Sequence, residues 1–275
     1  MNSLFAVGLA LLASGLLGGW LAIGGRVHGS PAVFRWLLTF CGGLLFSTAI
    51  LHLLPEVLSY GHPNENLWLL AGFFMQWMLE KFSAGIEHGH LHSGHDHHCD
   101  HPIHPMDDKS TQHRDSSAQG GSFRVGSVRY WGLILSLSLH GLVEGLPLAG
   151  SATLRSSATF WSPLLLGILL HKAPTTFALT ALMIQEKARP LLIWVSVIVV
   201  ASMTPLGMFL GQSMGQAGEG SREILHALMA VATGSFLQIA STILYESSQN
   251  HRLKPWQAIG ALLGALVAYA MGHGA

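Results

Sequence analysis

Charge is scarce in this chain: Asp, Glu, Lys and Arg make up 10% of its 275 residues, against roughly 25% in soluble domains. Half of the residues are apolar. A water-soluble globule is thereby excluded, and the composition is that of a polytopic membrane protein. The 14 acidic and 14 basic residues cancel, which excludes the broad basic field that would draw nucleic acid and the acidic tail that would draw a basic partner. Cysteine is nearly absent. Cys41 lies in an apolar run and Cys99 among histidines, so no disulfide framework is expected. There is no Gly-Lys-Ser/Thr phosphate loop to drive nucleotide-powered pumping, and no His-Glu-x-x-His zinc-protease motif.

What is present is apolar sequence in helix-length runs. A bilayer core takes about 20 apolar residues per helix, and eight windows qualify, at about 4 to 24, 33 to 57, 66 to 84, 128 to 150, 159 to 182, 190 to 211, 223 to 246 and 256 to 272. The first lacks a basic leader and runs on to Ile23, so it reads as a retained helix rather than a signal peptide. Lys and Arg bias sets orientation. Arg26, Arg35, Lys81, Lys109, Arg114, Arg124, Arg129, Lys187, Arg189, Arg252 and Lys254 fall in the odd-numbered connections, and only Arg155 and Arg222 in the even-numbered ones. Eleven against two puts the odd connections in the cytoplasm and both termini outside, and it leaves Lys172 as the one basic residue at membrane depth. The organisation predicted is helices one to three in 1–84, a loop in 85–127, helices four and five in 128–182 and helices six to eight in 183–275.

Glycines such as Gly15, Gly18, Gly19, Gly42, Gly43, Gly207 and Gly211 sit inside these windows, where small residues let helix backbones approach in lipid. Pro147 and Pro174 each follow a metal-type side chain by three residues, and kinks are expected there. The polar stretch 85–127 holds nine of the seventeen histidines, among them His88, His90, His92, His95, His97, His98, His101 and His104, with Asp96, Cys99 and Asp100 interspersed. Such a composition buries no core without a ligand, and it reads as a cytoplasmic metal-binding loop.

The chemistry centres on His140-Gly141-Leu142-Val143-Glu144 and His171-Lys172. Four residues apart on a helix, His140 and Glu144 project from one face and can reach a single cation. Two imidazoles and a carboxylate suit a borderline divalent ion such as zinc and leave an open position for exchange. Against this stands a hydrogen-bonded polar pair between helices, and for His171 alone a core histidine is about as common. Thr175, one turn beyond His171, reads as a hydroxyl bonded back to its own helix. Lys172 is either an ordinary ion-pair partner of Glu144 or a fixed cation in the place of a second, removable one, and the second reading is favoured. His52 and Glu56, also one turn apart, would lie at the outer mouth as a cation entrance, or simply hydrate a helix end. Gln238, Tyr245 and Glu246 read as packing and helix-end groups.

These stretches together resemble the ZIP (ZRT/IRT-like) family of divalent metal transporters. The resemblance is carried by Leu51-His52-Leu53-Leu54-Pro55-Glu56, His140-Gly-Leu-Val-Glu144-Gly, His171-Lys-Ala-Pro-Thr175, Thr204-Pro-Leu-Gly207 and Gly234-Ser-Phe-Leu. His171-Lys172-Ala173-Pro174 is similar to the ZIP9-like branch. The resemblance implies an all-α membrane protein of eight transmembrane helices, a 3+2+3 bundle whose outer triplets are related by inversion around helices four and five. It implies a site between those two helices, with His140, Glu144 and His171 matching one half. At the other half Gly141 replaces a usual asparagine, Lys172 an acidic ligand and Thr175 a further His or Glu, so one transported metal is expected. The substrate implied is Zn2+, with Fe2+, Mn2+ and Cd2+ in the same class, carried across the cell (inner) membrane towards the cytoplasm. The partners are a divalent ion and the bilayer, with no nucleic acid, and a homodimer is allowed. Rival readings are a diffusion-facilitator exporter, to which eight windows and outward termini are foreign, an intramembrane zinc enzyme, and a receptor that binds metal without carrying it.

Overall fold

The computed structural model describes residues 2–24, 31–61, 64–83, 128–150, 162–246 and 255–273. Among these residues every regular element is helical. The elements are α1 (Asn2–Ile23), α2 (Pro31–Thr48, a π-helical turn Ala49–Leu53, then Leu54–Leu58), α3 (Glu65–Ser83), α4 (Val128–Gly150), α5 (Pro163–Gln185), α6 (Pro190–Gln216), α7 (Glu219–Glu246) and α8 (Pro255–His273). The eight rods match the eight apolar windows, and the fold is an all-helical membrane bundle. Seven are long and apolar enough to cross a bilayer; α3, which carries Gln76, Glu80 and Lys81, is not among them. The residues 85–127 and with them His88, His90, His92, His95, His97, His98, His101 and His104 lie outside the described residues.

Local chemistry sets the boundaries. The fifth helix starts at Pro163 rather than near 159 because Ser162 caps it: Leu165 N–H donates to the Ser162 Oγ at 3.1 Å, and Pro163 occupies the first turn, where a missing N–H costs nothing. Lys187, at φ 56°, turns the chain from α5 into α6, and Pro190 opens the next helix. The π turn in α2 falls just ahead of Pro55, whose ring crowds the carbonyl four residues back and whose nitrogen donates nothing. The sixth helix runs past its window to Gln216 and the seventh begins earlier, at Glu219.

Side-chain placement is inverted relative to a soluble protein. Large apolar groups such as Phe5, Trp68, Phe74, Trp131, Leu191 and Leu262 face outwards, while Gln76, His140, Glu144, His171, Lys172 and Thr204 are buried. Helix adjacency has a two-fold pattern. The packing of α4 on α6 is mirrored by α5 on α1, and that of α2 on α8 by α7 on α3; α2 on α5 is mirrored by α7 on α4, and α1·α6, α2·α7 and α4·α5 pair with themselves. Exchanging helices one to three with six to eight, and four with five, reproduces these pairings, as an inverted repeat requires, while the smaller contacts of α6 with α5 and α7 have no such counterpart among the described residues.

Glycine makes the tightest of these contacts. A Cβ on Gly145 would strike the Thr204 carbonyl oxygen, and one on Gly207 the Leu142 carbonyl oxygen, so α4 and α6 touch backbone to backbone. Gly43 and Gly264 do the same for α2 and α8, Gly72 and Gly234 for α3 and α7, and Gly18 meets the Ala173 carbonyl where α1 crosses α5. With no hydrophobic force between helices in lipid, this approach replaces it with dispersion contact. We expect Gly207→Val to destabilise the bundle by about 2 kcal/mol or more, seen as a lowered unfolding temperature in detergent. Gly132→Ala, where a Cβ meets nothing within 4 Å, should stay within about 1 kcal/mol of wild type and can be stabilising.

Candidate metal centre

The inward stripes of α4 and α5 meet in a short polar layer. Along α4, His140 and Glu144 lie between buried Leu137 and buried Leu148; along α5, His171 and Lys172 lie between buried Ile168 and buried Ala178. The spacing of four on α4 stacks His140 and Glu144 as expected, with His140 Nε2 3.0 Å from Glu144 Oε1. The packing of α5 then supplies what spacing could not: His171 Nε2 stands 3.8 Å from the same carboxylate oxygen. The two imidazoles meet edge to face, with centroids 5.8 Å apart and planes at 89°. One ligand atom from each of His140, Glu144 and His171 falls within a 4.8 Å span, and all three residues are buried.

Lys172 completes the layer on the other carboxylate oxygen. Its Nζ is 3.6 Å from Glu144 Oε2 and donates to Thr204 Oγ1 at 2.6 Å. A Cβ at Gly141 would stand 2.7 Å from that nitrogen, so the ammonium occupies the space that a side chain at 141 would need. Among the described residues, neither oxygen of Glu144 accepts a well-formed hydrogen bond. A buried carboxylate in that condition is costly unless a cation sits against it, and only Lys172 supplies a permanent one.

The remaining expectations sort cleanly. Thr175 Oγ donates to the His171 carbonyl at 2.9 Å, the back-bonded hydroxyl read from sequence, and also lies 3.3 Å from His171 Nε2. His52 and Glu56 are not drawn into the cluster. His52, on the π turn, places Nε2 3.1 Å from the Ala268 carbonyl, and the Tyr60 hydroxyl donates to Glu56 Oε1 at 3.4 Å. Gln238 does pack, donating to Glu80 Oε2 at 2.6 Å and to Thr242 Oγ1 at 3.0 Å. Both α4 and α5 continue through Pro147 and Pro174. Gln76 stands outside every motif read from the sequence, and Ser235 stands inside Gly234-Ser-Phe-Leu without a role there; they meet the site from α3 and α7, with His140 Nδ1 3.3 Å from Gln76 Oε1 and Ser235 Oγ donating to that oxygen at 3.0 Å. The signal that pointed to Gln76 was an amide flanked by the apolar residues of mid-α3, since such a group must find a buried partner.

Eight helices with a buried two-histidine, one-glutamate donor set describe an integral membrane protein that handles cations. Comparison with known proteins agrees. The family model described as ZIP Zinc transporter matches residues 3–272, and the chain belongs to that family. It is 27% identical over 264 residues to "Zinc transporter ZIP1" of Danio rerio, covering 86% of this chain and 83% of the relative. With "Zinc transporter ZIP1" of Homo sapiens it shares 24% over 227 residues, 73% of this chain and 65% of the relative. With the human "Zinc transporter ZIP2" the figures are 30% over 141 residues, 50% and 44%. Divalent metal transport is therefore the class of activity, and the readings as a zinc enzyme or a diffusion-facilitator exporter fall away.

The geometry makes an energetic prediction that needs no metal. Glu144→Gln leaves the Lys172 ammonium buried without its counter-charge and should cost about 3–5 kcal/mol. Adding Lys172→Met should recover most of that loss. A double-mutant cycle of unfolding in detergent with chelator present measures the coupling, and additive losses would show that the two charges do not interact.

Proposed function

We propose that the chain carries zinc-type divalent cations into the cytoplasm, holding one ion at a time between His140, Glu144 and His171. The observation that supports this most is the convergence of three buried donor atoms from two helices within 4.8 Å. Imidazole nitrogen and carboxylate oxygen suit zinc and accept Fe2+, Mn2+ and Cd2+ less selectively, and three protein ligands leave a position open for exchange. The bias of Lys and Arg towards the odd-numbered connections supports termini outside and a cell-membrane orientation in which 85–127 faces the cytoplasm. In that arrangement the loop histidines receive the emerging ion, and His52 with Glu56 attracts it at the outer end.

Alternating exposure follows from the way the helices are fastened. Backbone-to-backbone glycine contacts fasten α4 to α6 and α1 to α5, and α1 packs on α6, so these four act as one block that carries the ligands. Glycines fasten α2 to α8 and α3 to α7, with α2 on α7, as the other. The apolar residues that bracket the polar layer, Leu137 and Ala178 towards one end, Leu148 and Ile168 towards the other, exclude water from both sides. Sliding the first block along the second would open one end while the other stays shut.

Lys172 fixes the stoichiometry in this reading. Its ammonium stands beside Glu144 in the space adjoining Gly141, so a permanent charge takes the place of a second metal. Replacing it by Glu should change the number of ions bound per chain or the order of metal preference; an unchanged number and order would discard that role.

Zinc influx into proteoliposomes tests the whole reading. Wild type should show saturable uptake, and His140→Ala should lose more than the roughly 10–100-fold that removal of a ligand's outer partner costs. Binding without flux in the wild-type chain would contradict transport and favour a receptor.

A further inference from the structure

We propose that Gln76 is a positioning residue for the metal centre, and that it makes ion affinity depend on where the two helix blocks stand. The inference rests on the reading of His140 as a metal ligand. Gln76 is fully buried in α3. Its side-chain oxygen lies 3.3 Å from His140 Nδ1 and accepts from Ser235 Oγ of α7 at 3.0 Å. An amide oxygen only accepts, so once an ion takes the Nε2 lone pair the ring's remaining proton is held on Nδ1. Nε2 then faces Glu144 Oε1 at 3.0 Å with His171 beyond it, where ring and carboxylate can share one ion; without the ion a proton bridges that short contact. A histidine held at one nitrogen by an acceptor is both oriented and made more basic at the other.

The position of Gln76 in the fold gives this contact a second consequence. α3 is fastened to α7 through Gly72 and Gly234, whereas His140 rides on α4, fastened to α6 through Gly145 and Gly207. The amide therefore reaches the ring from the block that carries no ligand. One turn away on the same stripe of α4, Ser136 Oγ donates to the Leu79 carbonyl at 2.8 Å, a second polar link across the same seam. A slide of the ligand-bearing block by one helical turn, about 5.4 Å, separates Nδ1 from the Gln76 oxygen and frees the ring. The ion is then held tightly only while His140 is docked on Gln76, and it is loosened by the movement that exposes the site.

Zinc titration of the full chain in lipid nanodiscs, with His140→Ala as the baseline that subtracts binding by the loop, tests this. Gln76→Met removes the acceptor at similar volume and should weaken zinc binding roughly 10–100-fold, whereas Gln76→Glu keeps an acceptor and should hold affinity near wild type. Nitrogen-15 spectra of histidine-labelled, zinc-loaded protein, with the His140 signal identified by its loss in His140→Ala, should show the proton on Nδ1 in wild type and Gln76→Glu and a mixture of tautomers in Gln76→Met. Equal affinities in all three, or equal weakening in both variants with the wild-type tautomer retained, would overturn the proposal. If His140→Ala itself left zinc binding intact, the ligand assignment would fail instead, and that result is distinct.

Discussion

The structure depends on one buried carboxylate. Glu144 sits at the centre of the bundle with His140 and His171 against one oxygen and Lys172 against the other. A charge at that depth persists only if ligated, paired or solvated, and here water is excluded above and below. Each surrounding group answers that requirement in a different way: the ammonium pairs with it permanently, and in the proposed reading the two imidazoles leave a place for a removable cation.

Around this centre the glycines do two jobs. They bring helix backbones into direct contact where lipid offers no hydrophobic drive, and by doing so in mirrored pairs they divide the bundle into two fastened groups. A carrier needs rigid parts and a seam between them. The seam between α3 and α4 is polar, with Gln76 and the Leu79 carbonyl on one side and His140 and Ser136 on the other. In the proposed mechanism the groups that hold the ion and the groups that move past it are therefore in direct contact. This is a physical route by which position can govern affinity without any distant coupling.

Much of this was legible in the residues. The eight apolar runs, the spacing of His140 and Glu144 and the back-bonded Thr175 follow from helix periodicity, which is a local property. The convergence of His171 was suggested by residue type and by the family resemblance, not by spacing, because a distance between two helices is set by packing. Gln76 was passed over for the same reason: one mid-helix amide carries no period, and its meaning appears only when α3 is laid against α4. Thr204, noticed as part of a motif, turned out to accept from Lys172. The late start of α5 lay in a readable signal, Ser162 before Pro163. The π turn before Pro55 did not, since proline permits several ways of relieving its clash. Gly141 is read correctly only beside Lys172, whose ammonium fills the space a side chain would take.

The central claim is that His140, Glu144 and His171 share one ion. Zinc-edge X-ray absorption on protein carrying one equivalent of zinc, with the histidines of 85–127 replaced by serine, addresses it most directly. The account predicts two imidazole nitrogens among light-atom ligands at roughly 2.0–2.2 Å, falling to one imidazole in His171→Ala. A spectrum without imidazole scattering, or one unaltered by that substitution, would contradict it.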